Sequence, residues 1–300
     1  MNASYKLTIA VITMNRAEQL KNALESCLLS ELPECTQFVI VDNASSDHTA
    51  AVVEQIKKEI SYDLVYHKEN ENRGVGGGRN ICFDLANGEY VYFLDDDAEI
   101  AEECRSTFFM KSIDCMDKNP QIATLTTEIV DPVFGHRSQA IARTMTVDGL
   151  ACVYAFHGGT VFIRKSCFSS PLFLNIMYGN EELALSMSAV DKGYFNVYDP
   201  TVFINHFPKS NKWTGKSLDL INIQGINTTY NIKRMQYPVI FRPVIYMAYK
   251  RRLQKYGGDN KEEIHSYRIK NKAFLMNNQI AKIKISTVIR CYREFGLTVF

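Results

Sequence analysis

The first hundred residues alternate between two hydrophobic patterns. LTIAVITM (7–14) is a continuous run rich in β-branched residues, and AEQLKNALESCLLS (17–30) then spaces its apolar residues at the helical period. QFVIVD (37–42) is a second unbroken run, ending at Asp42, and NASSDHTAAVVEQIKKEI follows, with Ser46 or Asp47 placed to cap a helix. YDLVYHK (62–68) reads as a third strand, glycine-rich ENRGVGGGRN leads into a helix through ICFDLA, and EYVYFL (89–94) is the fourth strand. Apolar strands separated by helices predict an α/β fold, with a mostly parallel central sheet covered on both faces. Ligands of such sheets bind at the carboxyl ends of the strands. Asp42 and the aspartates that follow the fourth strand are therefore expected to face one crevice.

Residues 101–210 are less regular, with strand candidates in IATLTTEIV, TVFIRK and YFNVYD, and from 211 onward the pattern is mainly helical. The expected organisation is an α/β domain over 1–210, with a more regular part at about 1–100 and a less regular one at about 101–210. A helical extension follows over 211–300. The chain has 300 residues, is 46% hydrophobic and carries a net charge of +1, which argues against a general nucleic-acid binder. Eight cysteines include no C-x-x-C pair, and Cys27, Cys82 and Cys152 sit in apolar runs as small core residues. A reducing cytoplasm suits them. The apolar stretch before Asn15 and Arg16 is short for a signal peptide and reads as the first strand.

Candidate chemistry is concentrated where the fourth strand ends. YVYFLDDDAEI (90–100) runs apolar residues straight into Asp95, Asp96 and Asp97. Adjacent carboxylates repel, so a plain turn has no use for three, and the cluster points to a cation, a cationic ligand or both. Side chains at i and i+2 of an exiting strand share a side, so Asp95 and Asp97 can reach one site. Hard oxygen ligands of this kind suit Mg²⁺ or Mn²⁺ with the oxygens of a diphosphate. A dinucleotide-binding reading of GVGGGRN fails, because Arg79 stands where the last glycine belongs and the loop follows the third strand. A glycine-rich segment whose backbone approaches a ligand, with Arg79 directed at phosphate or base, fits better.

TIAVITMNRAEQL, VIVDNASSDHTA, NRGVGGGRN and YFLDDDAEI, in this order, resemble the family 2 glycosyltransferases of GT-A fold. The likeness covers about the first 210 residues. It implies an inverting transfer of a sugar from a nucleotide diphosphate donor to a hydroxyl acceptor, a glycan or a lipid-linked one among them. By that resemblance Thr13 and Asn15 lie beside the nucleotide, Asp42 hydrogen-bonds the base, and Arg79 stands near base and phosphate. Asp95 and Asp96 are the ribose- and diphosphate-side members of the D-x-D motif, and Asp97 is the direct metal ligand. YGNEELALSMS (178–188) resembles the acidic segment that supplies the catalytic base, with Glu181 and Glu182 as the pair and Glu182 as the base. Ala184 and Ser188 depart from it, standing where an acid and an arginine are common. FHGGTVFIRK resembles the strand whose Gly158 and Gly159 line the donor sugar, and YDPTVFINHF the strand that brings His206 to the diphosphate and metal.

Two rivals belong to other classes. A sugar-1-phosphate nucleotidyltransferase would carry a glycine-rich basic loop after the first strand, and TMNRAEQ has no glycine. A noncatalytic nucleotide-sugar-binding relative would share the motifs. Charge asymmetry adds a last expectation. Residues 250–300 hold 12 Lys and Arg against 4 Asp and Glu, 12 − 4 = +8, and QYPVIFRPVIYMAYKRRLQKYGG (236–258) is apolar beside Lys250, Arg251 and Arg252. Such a segment either packs on the domain or makes peripheral contact with an anionic membrane, at the inner face of the cell membrane for a cytoplasmic protein.

Overall fold

The computed structural model describes residues 5–132, 135–137, 139–177, 179–208, 215–256, 261–276 and 278–300. The expected boundary at 210/211, Tyr178 in the acidic segment and the two glycines at 257–258 lie outside these residues. In chain order β1 (Tyr5–Thr13), α1 (Ala17–Leu28), β2 (Thr36–Asp42), α2 (Thr49–Glu59), β3 (Asp63–Lys68), α3 (Gly74–Leu85) and β4 (Gly88–Asp95) open the fold. Their strands pair in parallel in the order β3-β2-β1-β4. All seven residues of β2 are buried, as an unbroken apolar run requires of a strand covered on both faces. The cap position of α2 is His48 rather than Ser46 or Asp47, but Asp47 just before it accepts from the Ala17 N–H at 3.3 Å and from the Thr49 N–H at 3.0 Å, so one carboxylate meets the first residues of α1 and α2.

The second half is mixed. β5 (Ala98–Ile100), α4 (Phe108–Lys118), β6 (Ile122–Asp131), β7 (Gly135–His136), β8 (Ile141–Val147), β9 (Leu150–Val153), β10 (Thr160–Arg164), α5 (Leu183–Asp191) and β11 (Phe195–His206) follow. β10 is antiparallel to both β4 and β6, β11 is parallel to β6, and β9 and β8 close the sheet antiparallel. The two halves share a core around Tyr92 of β4, whose ring lies 5.4, 5.3 and 4.4 Å from those of Phe108, Phe109 and Phe162. Each such ring contributes about 2–3 kcal/mol by burial.

One expectation is corrected here. The glycines of GVGGGRN are not a loop ahead of a helix; they are the first turns of α3. Added Cβ atoms at Gly74 and Gly76 would collide with the backbone of residues 174–177, and one at Gly78 with Ile12. What Gly74 and Gly76 admit is this chain's own segment, and Gly74 also lines the cavity described below.

α6 (Gly215–Gln236), α7 (Arg242–Tyr256), α8 (Lys261–Met276) and α9 (Ile285–Phe295) complete the chain. They are tied to the sheet domain rather than set apart from it. Asp191 accepts from the Lys284 N–H at 2.8 Å, and Glu294 accepts from the Thr144 N–H at 2.9 Å. Among the described residues no helix is long and apolar enough to cross a membrane.

Candidate active site

Strand pairing assembles the acidic cluster. β4 delivers Asp95, the turn after it holds Asp96 and Asp97, and the antiparallel pairing of β5 with β11 sets His206 opposite Ala98. One donor atom each from Asp95, Asp97 and His206 lie within 4.8 Å of one another, a grouping that could hold a metal ion. His206 Nδ1 is 2.8 Å from Asp131 Oδ2 and 3.1 Å from Arg137 Nη2, and its Nε2 faces Asp97 Oδ1 at 3.3 Å. A carboxylate that fixes the far nitrogen of an imidazole is the usual support of a metal-binding histidine. These donors fit Mg²⁺ or Mn²⁺.

Asp96 plays a different part. It is 7% exposed, and Arg16 Nη1 reaches both its Oδ1 at 2.7 Å and Asp97 Oδ2 at 2.6 Å. Burial pushes the Asp96 carboxyl up to about 6 in spite of Arg16. Burial also opposes ionisation of Asp97, but the hydrogen bond and charge of His206, with Arg16, hold it below the ordinary range. Arg16 was not singled out in the sequence. Its place one turn past a parallel strand's carboxyl end was the available signal.

Arg79 lies at the centre, buried between two acids. Its Nη2 donates to Asp95 Oδ1 at 2.9 Å and its Nη1 to Glu181 Oε1. Gly158 and Gly159 make room for this pair: Cβ atoms there would strike the Arg79 guanidinium and the Asp95 carboxylate. Glu182, the next residue, precedes α5 and lines the same cavity. Burial and the neighbouring Glu181 push its carboxyl up to about 8, although Arg79 pulls the other way. The departures at Ala184 and Ser188 have a structural counterpart. Gln236 of α6 donates to the Ala184 carbonyl at 2.7 Å and to Ser188 Oγ at 3.1 Å, so α6 packs where longer side chains would project.

Thr13, Arg79, Asp95, Asp97, Glu182 and His206 all line one cavity of about 970 Å³, as do Asp96, Glu181, Gly158 and Gly159. Asp42 and Asn15 do not line it. Asp42 is fully buried, accepting from the Ser45 N–H and the Tyr66 hydroxyl at 2.6 Å each, so its carboxylate is spent on its own loop. Asn15 accepts from the Ser46 N–H at 2.8 Å and joins the loops after β1 and β2. The crevice expected to hold Asp42 is lined instead by Asn43 and Asn72. His157 was also missed. Its Nε2 is buried beside Gly158 without a hydrogen-bond partner, and burial with Arg137 nearby pushes its pKa down to about 4.

The profile of the family described as "Glycosyl transferase family 2" matches residues 8–141. The GalNAc(5)-diNAcBac-PP-undecaprenol β-1,3-glucosyltransferase of Campylobacter jejuni is 33% identical over 107 residues, 36% of this chain and 34% of that protein. The chain thus matches about a third of that relative's length. Among solved structures, GalNAc-T7 with UDP, GalNAc and Mn²⁺ superposes with a TM-score of 0.66 at 15% identity, over 98% of this chain and 59% of that one. Staphylococcus aureus TarS 1–349 in complex with UDP-GlcNAc gives 0.62 at 15% identity, over 98% and 89%. Residues 8–141 are similar to the family 2 glycosyltransferases, and the fold is the GT-A fold of these solved structures.

Proposed function

We propose that the protein transfers a sugar, with inversion, from a nucleoside-diphosphate donor to a hydroxyl of a glycan or lipid-linked acceptor. One observation carries this reading: Glu182, a carboxyl of raised proton affinity, shares a single cavity with the Asp95–Asp97–His206 grouping. The relative from C. jejuni, by its name a glucosyltransferase acting on an undecaprenol-diphosphate glycan, supports the class of reaction.

In this mechanism Glu182 takes the proton of the attacking hydroxyl, and Glu181 holds Arg79 in place. Asp97, Asp95 and His206 would hold Mg²⁺ or Mn²⁺, which supplies positive charge where the leaving diphosphate gains negative charge. Arg79 and Asp95 form the floor beneath donor sugar and phosphate, with Thr13 at one wall. Gly158 and Gly159 keep that floor open. Asp96 and Arg16 set the charge balance, while Asp42 and Asn15 act on the nucleotide only by shaping its loops. Residues 1–210 are the catalytic part, with 211–300 supplying the helical wall on the acceptor side.

The same reading places the protein in the cytoplasm, against the inner face of a membrane. Tyr237, Ile245 and Tyr249 pack inward, yet Val239 and Ile240 are 60% and 64% exposed and Met247 is 59% exposed, next to Lys250 and Arg251. An exposed apolar face beside basic residues suits an anionic lipid surface. The test of function is incubation with a panel of nucleotide sugars. Release of free nucleoside diphosphate with an acceptor supports transfer, formation of nucleoside triphosphate and sugar 1-phosphate on addition of pyrophosphate supports a nucleotidyltransferase, and binding without turnover supports a noncatalytic relative.

A further inference from the structure

The Thr298 carbonyl oxygen collects three donors. Tyr154 Oη is at 2.9 Å, Lys233 Nζ at 3.3 Å and Arg252 Nη2 at 3.3 Å. A carbonyl offers two lone pairs, so the three are poorly served. Arg252 Nη1 also donates at 3.1 Å to an oxygen of Phe300, the last residue, whose α-carboxylate is an anion for Arg252 but not for Lys233. Lys233 is 1% exposed, and among the described residues neither it nor Arg252 forms an ion pair with a carboxylate side chain. A buried ammonium without an anion is unfavourable, and burial together with Arg252 pushes its pKa well below the ordinary value. Both cations, with Tyr154 and Tyr256, line the cavity that contains Glu182.

Their distance from the chemistry can be bounded. Asn180, just before the acidic pair, donates to Thr229 Oγ1 of α6 at 2.8 Å. Lys233 lies four residues on, one turn or about 6 Å along the helix axis. More N–H donors than acceptors therefore face the cavity beyond the acidic pair, on the wall built by α6 and α7. That arrangement is the chemistry of an anion site.

We propose that Lys233 and Arg252 bind a phosphoryl group of the acceptor, so that the acceptor is a phosphate- or diphosphate-bearing glycan or polyol. The inference rests on the reading of Glu182 as the base, which fixes the acceptor side of the cavity.

The test is calorimetric titration of the full chain, without metal, using inorganic phosphate, farnesyl diphosphate and glycerol 1-phosphate in separate arms. At least one should bind the native protein, and its affinity should fall about tenfold or more in Lys233→Met and in Arg252→Gln, the loss of a charge-assisted contact. Asp97→Ala should bind as the native protein does. Preference for farnesyl diphosphate assigns a lipid diphosphate, and preference for glycerol 1-phosphate a polyol phosphate. No binding in any arm, equal binding by both basic-site variants, or loss of binding in Asp97→Ala would overturn the proposal. Should Lys233→Met fail to fold, Arg252→Gln, whose side chain is only partly buried, decides alone. Binding of nucleoside diphosphates with Mn²⁺, measured on the same protein, reports separately on the glycosyltransferase reading.

Discussion

The two ends of the cavity handle charge in opposite ways. At the β4 end every acid has a basic neighbour: Arg16 serves Asp96 and Asp97, Arg79 serves Asp95 and Glu181, and His206 sits between Asp97 and Asp131. At the α6–α7 end, Lys233 leans on the Thr298 carbonyl, and Arg252 on that carbonyl and the terminal Phe300. The first end is electrostatically closed and can exchange one cation for another. The second has donors to spare and gains from an incoming anion. A transferase that takes a metal–diphosphate on one side and an acceptor on the other has use for both.

The largest expected effect is at the closed end. Asp97→Ala removes a donor of the metal grouping and a partner of both Arg16 and His206, so turnover should fall to background. EDTA should do the same to the native protein, reversibly with Mg²⁺ or Mn²⁺; full activity in EDTA would take metal out of the mechanism.

A pair of substitutions then sets the two ends against each other. Arg16→Gln leaves buried Asp96 without its cation and Asp97 with His206 alone, and should lower stability by about 2 kcal/mol in urea denaturation, discounted for the partial exposure of Arg16. Lys233→Met removes a buried cation that has no carboxylate, and should leave stability unchanged or raise it by about 1 kcal/mol. Equal losses from both would erase the distinction.

Glu182 gives a pH test. Its folded-state pKa, about 8, lies above the ordinary carboxyl value of 4.5, so the folded protein binds the extra proton and stability is lost as pH rises from about 4.5 through 8. Glu182→Gln mimics the protonated acid and should flatten that decline. Its melting temperature should exceed the native one at pH 8.5 and match it near pH 4.5. A difference that does not change with pH would mean that Glu182 is not held protonated. The smallest effect concerns the outer surface of the open end. Binding to anionic vesicles should weaken with salt and fall when Lys250 and Arg251 are both replaced by Gln, with about 1 kcal/mol at most per charge. Equal binding to neutral vesicles would return α7 to ordinary packing.

This contrast also explains what could be read from the chain. Continuous apolar runs and the helical period gave β1 to β4 and their helices, because each element's burial is written in its own residues. The acidic cluster was legible for the same reason: three adjacent carboxylates at a strand end have few structural uses. Arg79 was picked out, but its partner Glu181 lies 102 residues away and only tertiary packing joins them. Asp42 shows the converse. It ends its strand as expected, yet Ser45 and Tyr66 satisfy its carboxylate locally, which spacing could not reveal. Lys233 gave no signal at all, since a lysine within a helix is ordinarily solvated and its burial depends on the segment around Thr298 closing over it.

The central claim is that Glu182 acts as the base opposite the metal grouping. Steady-state turnover and donor affinity of Glu182→Gln, measured across pH with a nucleotide sugar that the native protein turns over, test it most directly. We expect turnover lower by at least ~10²-fold, the usual scale for a lost general base. Donor affinity should be unchanged, and the native rise in kcat/KM toward pH 8 should be absent from the variant. Native-like turnover by Glu182→Gln, or loss of donor binding in step with the rate, would contradict it.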